Sequence, residues 1–167
     1  KYDQAANHID LAEQHLALED FSAAVIELDN AIGSLPTEDI SKITKLGLKK
    51  AKAQMQCSQL PQAYKDLENM LSEMNSDTDP KLIAETKSTL ANAQYYITWL
   101  MRLEGHSRET WEPVIESSRQ NFYAASEFAR TQGNKKSADQ LIQNLEASIK
   151  LARMDLEELQ GLPLPNE

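Results

Sequence analysis

Apolar residues recur at helical steps of three and four along nearly the whole chain, and β-branched alternation is absent. That pattern restricts the chain to an all-α fold. Turn chemistry agrees, because 5 Gly and 6 Pro in 167 residues leave few of the tight turns a β-protein needs. Breaks in the pattern give seven helices, over 2–19, 22–34, 37–57, 61–74, 80–104, 110–131 and 136–159. Pro36 ends the second and Thr37 caps the third. Pro61 and Pro80 suit the first turns of the fourth and fifth, and Gly105 and Gly133 stop the fifth and sixth. Pro113 fits a first turn if Thr110 caps the sixth helix, and should kink it if the helix starts at Ser107. Gly161, Pro163 and Pro165 make 161–167 an extended tail.

The last three helices are long and carry a seam. Ala138, Ile142, Leu145, Ile149, Ala152, Leu156 and Leu159 alternate steps of four and three. Trp111, Ile115, Ser118, Phe122, Ala125 and Ala129 do the same, and Ile83, Leu90, Ala93, Ile97 and Leu100 lie on one stripe. This is the spacing of antiparallel helices packed at a shallow angle.

The front of the chain carries a repeat. Leu11 and Ala12, then Ala24, Leu28, Ala31 and Pro36, stand at the spacing of a helix–turn–helix unit, with Glu19, Asp20 and Phe21 at its turn. Ala12 and Ala24 let two helices approach, Phe21 and Leu28 fill the gap, and Pro36 prevents continuation. Residues 7–36 thereby resemble one tetratricopeptide repeat, with His8 and His15 where that family usually has Trp and Tyr. Ala51, Leu60, Ala63 and Leu67 form a second, degenerate copy, with Asn75 where Pro would close it. A third starts at Ala93 and Tyr96 and then departs from the pattern. The resemblance implies one TPR-like domain over 1–160. Its parts are a first repeat at 1–36, a second at 37–79, a long third hairpin at 80–132 and a capping helix at 134–160.

Charge narrows the partners. With 17 Lys+Arg against 26 Asp+Glu the net charge is −9, which disfavours nucleic acid or an anionic membrane as the main partner. No apolar run approaches the ~20 residues that span a bilayer. The chain begins at Lys1, as an excised or processed piece would, so it is expected in solution, cytoplasmic or exported after loss of a signal peptide. Catalytic signatures are missing: there is no Gly-rich phosphate loop and no Gly-x-Ser-x-Gly elbow. The three histidines, His8, His15 and His106, include no Glu-x-x-His, and no Lys-Gly pair accompanies the helical ones. Cys57 is the single cysteine and has no recognisable base beside it. The expectation is a protein that is no enzyme and needs no cofactor or metal.

Two features rise above this background. Lys42, Lys45, Lys49 and Lys52 step by three, four and three along one face of the third helix, with Lys50 beside them. The resemblance places Lys45, Leu48, Lys52 and Met55 on the ligand-facing side of the second repeat, and Ala6, Ile9, Glu13 and Leu16 on that of the first. Glu13 departs from the family's Lys and Asn clamp for a C-terminal carboxylate. Aromatics also cluster, with Tyr95, Tyr96, Trp99, Trp111, Phe122, Tyr123 and Phe128 in the second half. Adjacent pairs such as Tyr95 and Tyr96 cannot both face one core, so one of each should lie near a groove. The expected partner is a protein or peptide, held by Lys45, Leu48, Lys49, Lys52, Met55, Tyr95, Tyr96 and Trp99. The alternative is a bundle that forms a homodimer through its C-terminal helices.

Overall fold

The computed structural model describes residues 1–163, and every regular element among them is helical. The helices are α1 (Tyr2–Ala17), α2 (Phe21–Ser34), α3 (Ile40–Met55), α4 (Leu60–Glu73), α5 (Pro80–Leu103), α6 (Arg108–Thr131), α7 (Lys135–Arg153) and α8 (Leu156–Gln160). The all-α expectation holds. Residues 164–167 of the expected tail, Pro165 included, lie outside the described residues. Contacts divide the chain into two compact units, Lys1–Thr78 and Asp79–Glu167.

In the first unit two hairpins are built alike. Ala12, Ala24 and Leu28 are fully buried where α1 meets α2, and Ala51, Ala63 and Leu67 are fully buried where α3 meets α4. Each pair is offset by 39 residues, from 12 to 51, 24 to 63 and 28 to 67. The turns match as well. After α1, Glu19 takes φ 57°, and the N–H of Asp20 donates to the His15 carbonyl at 2.9 Å. After α3, Ser58 takes φ 63°, and the N–H of Gln59 donates to the Gln54 carbonyl at 3.0 Å. In each, a left-handed residue returns the chain and satisfies a carbonyl of the last helical turn. Gly47 lies inside α3 because a Cβ there would come within 3.1 Å of Met70 Sδ on α4. The third helix is shorter than expected. Asp39 rather than Thr37 occupies its cap position, since Thr37 hydrogen-bonds the Glu38 carboxylate instead.

In the second unit α6 packs against both α5 and α7. Its expected face is buried at all six positions, Trp111, Ile115, Ser118, Phe122, Ala125 and Ala129. Ser118 Oγ donates to the Ala91 carbonyl at 2.8 Å and lies 3.4 Å from Ser148 Oγ, so small side chains mark where three helices meet. Gln94, also buried, donates to Ser117 at 2.8 Å and accepts from Asn121 at 3.1 Å.

Three expectations need correction here. The sixth helix starts at Arg108 with Ser107 in the cap position, which leaves Pro113 inside it. An Arg108–Glu112 ion pair and a 3.0 Å Ser107–Thr110 hydroxyl contact support the added turn. The seventh helix does not run to 159. It ends at Arg153, and Asp155 starts α8 by accepting from the Glu158 N–H at 2.8 Å. Its seam shifts accordingly: Ser148 and Leu151 are buried, while Ile142 and Leu156 are exposed. On α5, Leu100 is exposed too, and Thr86, Gln94 and Thr98 join the buried set.

Candidate partner-binding faces

The lysines of α3 separate into engaged and free groups. Lys50 is turned inward, only 17% exposed, with its ammonium 2.8 Å from Asp29 on α2 and 3.8 Å from Asp66 on α4. Lys49 is ion-paired to Glu13, which ties α3 to α1. Lys42 lies 5.7 Å from the centroid of the Tyr2 ring, a cation–π contact, while the Tyr2 hydroxyl bonds Asp39. That hydrogen bond raises the Tyr2 pKa above its ordinary value. Lys45 and Lys52 are exposed, and among the described residues no carboxylate pairs with either.

Around them, Ala6 and Glu13 of α1 are exposed and Ile9 and Leu16 half-buried, while Met55 of α3 is half-buried. Leu48 is a correction. It is 3% exposed, because α3 is covered by neighbours on more than one side, and a side chain so buried offers no surface to a partner. The helical period sets Lys50 beside the stripe, but the period alone does not say that it turns inward to Asp29. The acidic neighbours on α2 and α4 were the available signal.

The histidines make polar bridges rather than aromatic-like packing alone. His8 Nδ1 lies 2.6 Å from Glu27, joining α1 to α2, and His15 Nδ1 lies 3.6 Å from Asp20. No group of three or more His, Cys, Asp or Glu among the described residues could hold a metal ion. Cys57 is half-buried, with Sγ 3.7 Å from the Gln54 carbonyl.

The aromatic residues of the second unit divide between core and surface. Trp99 is the second correction: it is 6% exposed and packs with Trp111, Ile115, Leu151 and Leu159, so it belongs to the interior. Phe122 is buried and its neighbour Tyr123 exposed, the split expected of an adjacent pair. Tyr95 and Tyr96 are both half-buried, with ring centroids 5.6 Å apart in a T-shaped contact. Burial, then the Tyr96 hydroxyl, raises the Tyr95 pKa. Arg102 lies 4.6 Å from the Trp111 ring centroid and donates to the Leu151 carbonyl at 2.7 Å. Burial, then the charge of Arg108, lowers its pKa.

A cleft of about 430 Å³ opens over Ala125 and Phe128 of α6, walled by Lys81 and Glu85 of α5 and by Ser137 and Leu141 of α7. No helix among the described residues is long and apolar enough to cross a membrane. No known protein family matches this chain, and no curated protein matches it.

Proposed function

We propose that this chain is a non-catalytic protein-interaction module of the tetratricopeptide kind, which docks an acidic peptide along the α1/α3 face of its first unit. The observation that carries this reading is the pair of unpartnered cations on that face. Lys45 and Lys52 are exposed and lack a carboxylate partner among the described residues, although the chain has an excess of nine acidic residues. They stand seven residues apart on one helix, roughly 10 Å along its axis. Carboxylates three residues apart on a polyproline-II peptide lie on one side and span about the same distance. Ile9 and Leu16, half-buried beside the Glu13–Lys49 pair, supply apolar contact. The 39-residue offset between the two hairpins supports the repeat assignment.

The test is a labelled proline-rich, polyproline-II peptide with glutamates at every third position. Its association should be fast at low salt and slow as salt rises. Lys45→Glu with Lys52→Glu should abolish binding at an unchanged melting temperature. Undiminished binding by that double variant sinks the proposal.

Self-association through the C-terminal helices is the second reading. Ile142, Leu156 and Leu162 are 37%, 42% and 44% exposed there, which is apolar surface another copy could cover. Sedimentation across a range of concentrations decides it: a monomer throughout removes the reading.

A further inference from the structure

We infer that α8 is a displaceable internal ligand, and that the surface beneath it is an interaction surface for a partner's short acidic helix carrying a leucine one turn after a carboxylate cap. This goes beyond the peptide reading above, since it concerns the second unit and different residues.

The attachment of α8 is slight. Five residues are too few to be helical on their own, since isolated helices need ~12–15. Met154 and Asp155 before it are extended, with ψ of 138° and 166°, so the helix is interrupted there, and the half-buried Met154 packs against the same cluster that Leu159 enters. One side chain of α8 is buried. Leu159 is 0% exposed, while Leu156, Glu157 and Glu158 face solvent. Leu159 closes the cluster of Trp99, Trp111, Ile115 and Leu151, each no more than 6% exposed.

The receiving surface is organised without α8. Arg102 is held by the Leu151 carbonyl and the face of Trp111, and Arg108 stands 5.7 Å from the same ring. Two guanidinium groups therefore lie beside an apolar cluster, Arg108 already paired with Glu112, and the segment of α8 carries Asp155, Glu157 and Glu158. Asp155 is close enough to Arg102 to act on its charge. The charges are complementary, which orients an acidic helix on this surface. Within the same cluster the buried Trp99 Nε1–H has no acceptor among the described residues. Tethering gives α8 a high effective concentration, so a free ligand meets a closed surface until it binds more tightly or α8 is released.

The experiment uses the whole chain and a labelled peptide of residues 154–163. Leu159→Asp should release α8, and that variant should bind the peptide at least ~tenfold more tightly than the unaltered chain does. The same peptide with its leucine at 159 replaced by Asp should bind neither. Both tryptophans of the protein lie in this cluster, so their emission should shift to longer wavelength in the variant and return when peptide is added. A folded variant with unshifted emission, or with no affinity for the peptide, overturns the proposal. Should Leu159→Asp fail to fold, hydrogen exchange of the unaltered chain decides. Amides of α8 should exchange well before those of α5, α6 and α7, and exchange only through global unfolding overturns the inference. A dimer of the unaltered chain that Leu159→Asp abolishes would make a second copy the occupant and overturn the partner-helix assignment.

Discussion

The Lys50 ammonium donates a hydrogen bond to the Asp29 carboxylate at 2.8 Å, and through it α3 is fastened to α2. Lys50 is the inward member of a run in which Lys42, Lys45 and Lys52 are exposed and Lys49 is paired with Glu13. Replacing it with Met should lower stability by about 1 kcal/mol, a charge-assisted bond discounted for the exposure of Asp29. Lys52→Met should stay within ~0.5 kcal/mol of the parent. Urea unfolding of the two variants side by side measures the contrast, and equal losses would remove the distinction between them.

Ala24 is fully buried where α1 and α2 touch. Ala24→Trp inserts a large ring at that contact, and overpacking costs ~1–3 kcal/mol or more. The first unit should melt earlier. An unchanged melting temperature would mean the two helices can separate freely there.

Pro113 stands inside α6 with its ring exposed. It cannot donate the amide bond its position calls for, and no buried packing is lost when it is replaced. Pro113→Ala should therefore stabilise the second unit, by up to ~3 kcal/mol. Thermal unfolding followed by far-ultraviolet circular dichroism reads the change, and a destabilised variant would show that the proline is favoured at this position.

Tyr95 supplies a pH dependence with a definite sign. Burial raises its pKa in the folded state, so the folded chain resists ionising it more than the unfolded chain does. Its contribution to stability is complete below the unfolded tyrosine value, ~10, and is lost as pH climbs through the raised folded value. Tyr95→Phe should flatten the fall in melting temperature between roughly pH 9 and 11. Parallel curves for parent and variant would assign the alkaline loss to other groups, among them Tyr2, whose hydrogen bond to Asp39 acts in the same direction.

Helix content and the buried face of α6 were legible because each residue at steps of three and four has one packed side. On α3 that logic misleads. The helix is covered on more than one side, so Leu48 is interior while Lys45, three residues earlier, is exposed. The chemistry of Trp99 marks it as a candidate anchor, but only tertiary packing reveals that it clusters with Trp111 and Leu159 in the interior. The break before α8 had a local signature in Asp155 and Glu158, a cap followed three residues later by an acid. The apolar period runs straight across it and conceals it. Which lysines remain free depends on where α1, α2 and α4 bring their carboxylates, and no spacing within α3 contains that information.

The close approach of α3 and α4 at Gly47 also makes the first unit vulnerable to oxidants. The Met70 sulfur occupies the space that Gly47 leaves open: a methyl group added at Gly47 would come within 3.1 Å of it. A sulfoxide oxygen on Met70 would be polar as well as bulky at that point. Peroxide damage at this one sulfur would drive a wedge between the two helices, and a methionine sulfoxide reductase would be needed to let them close again.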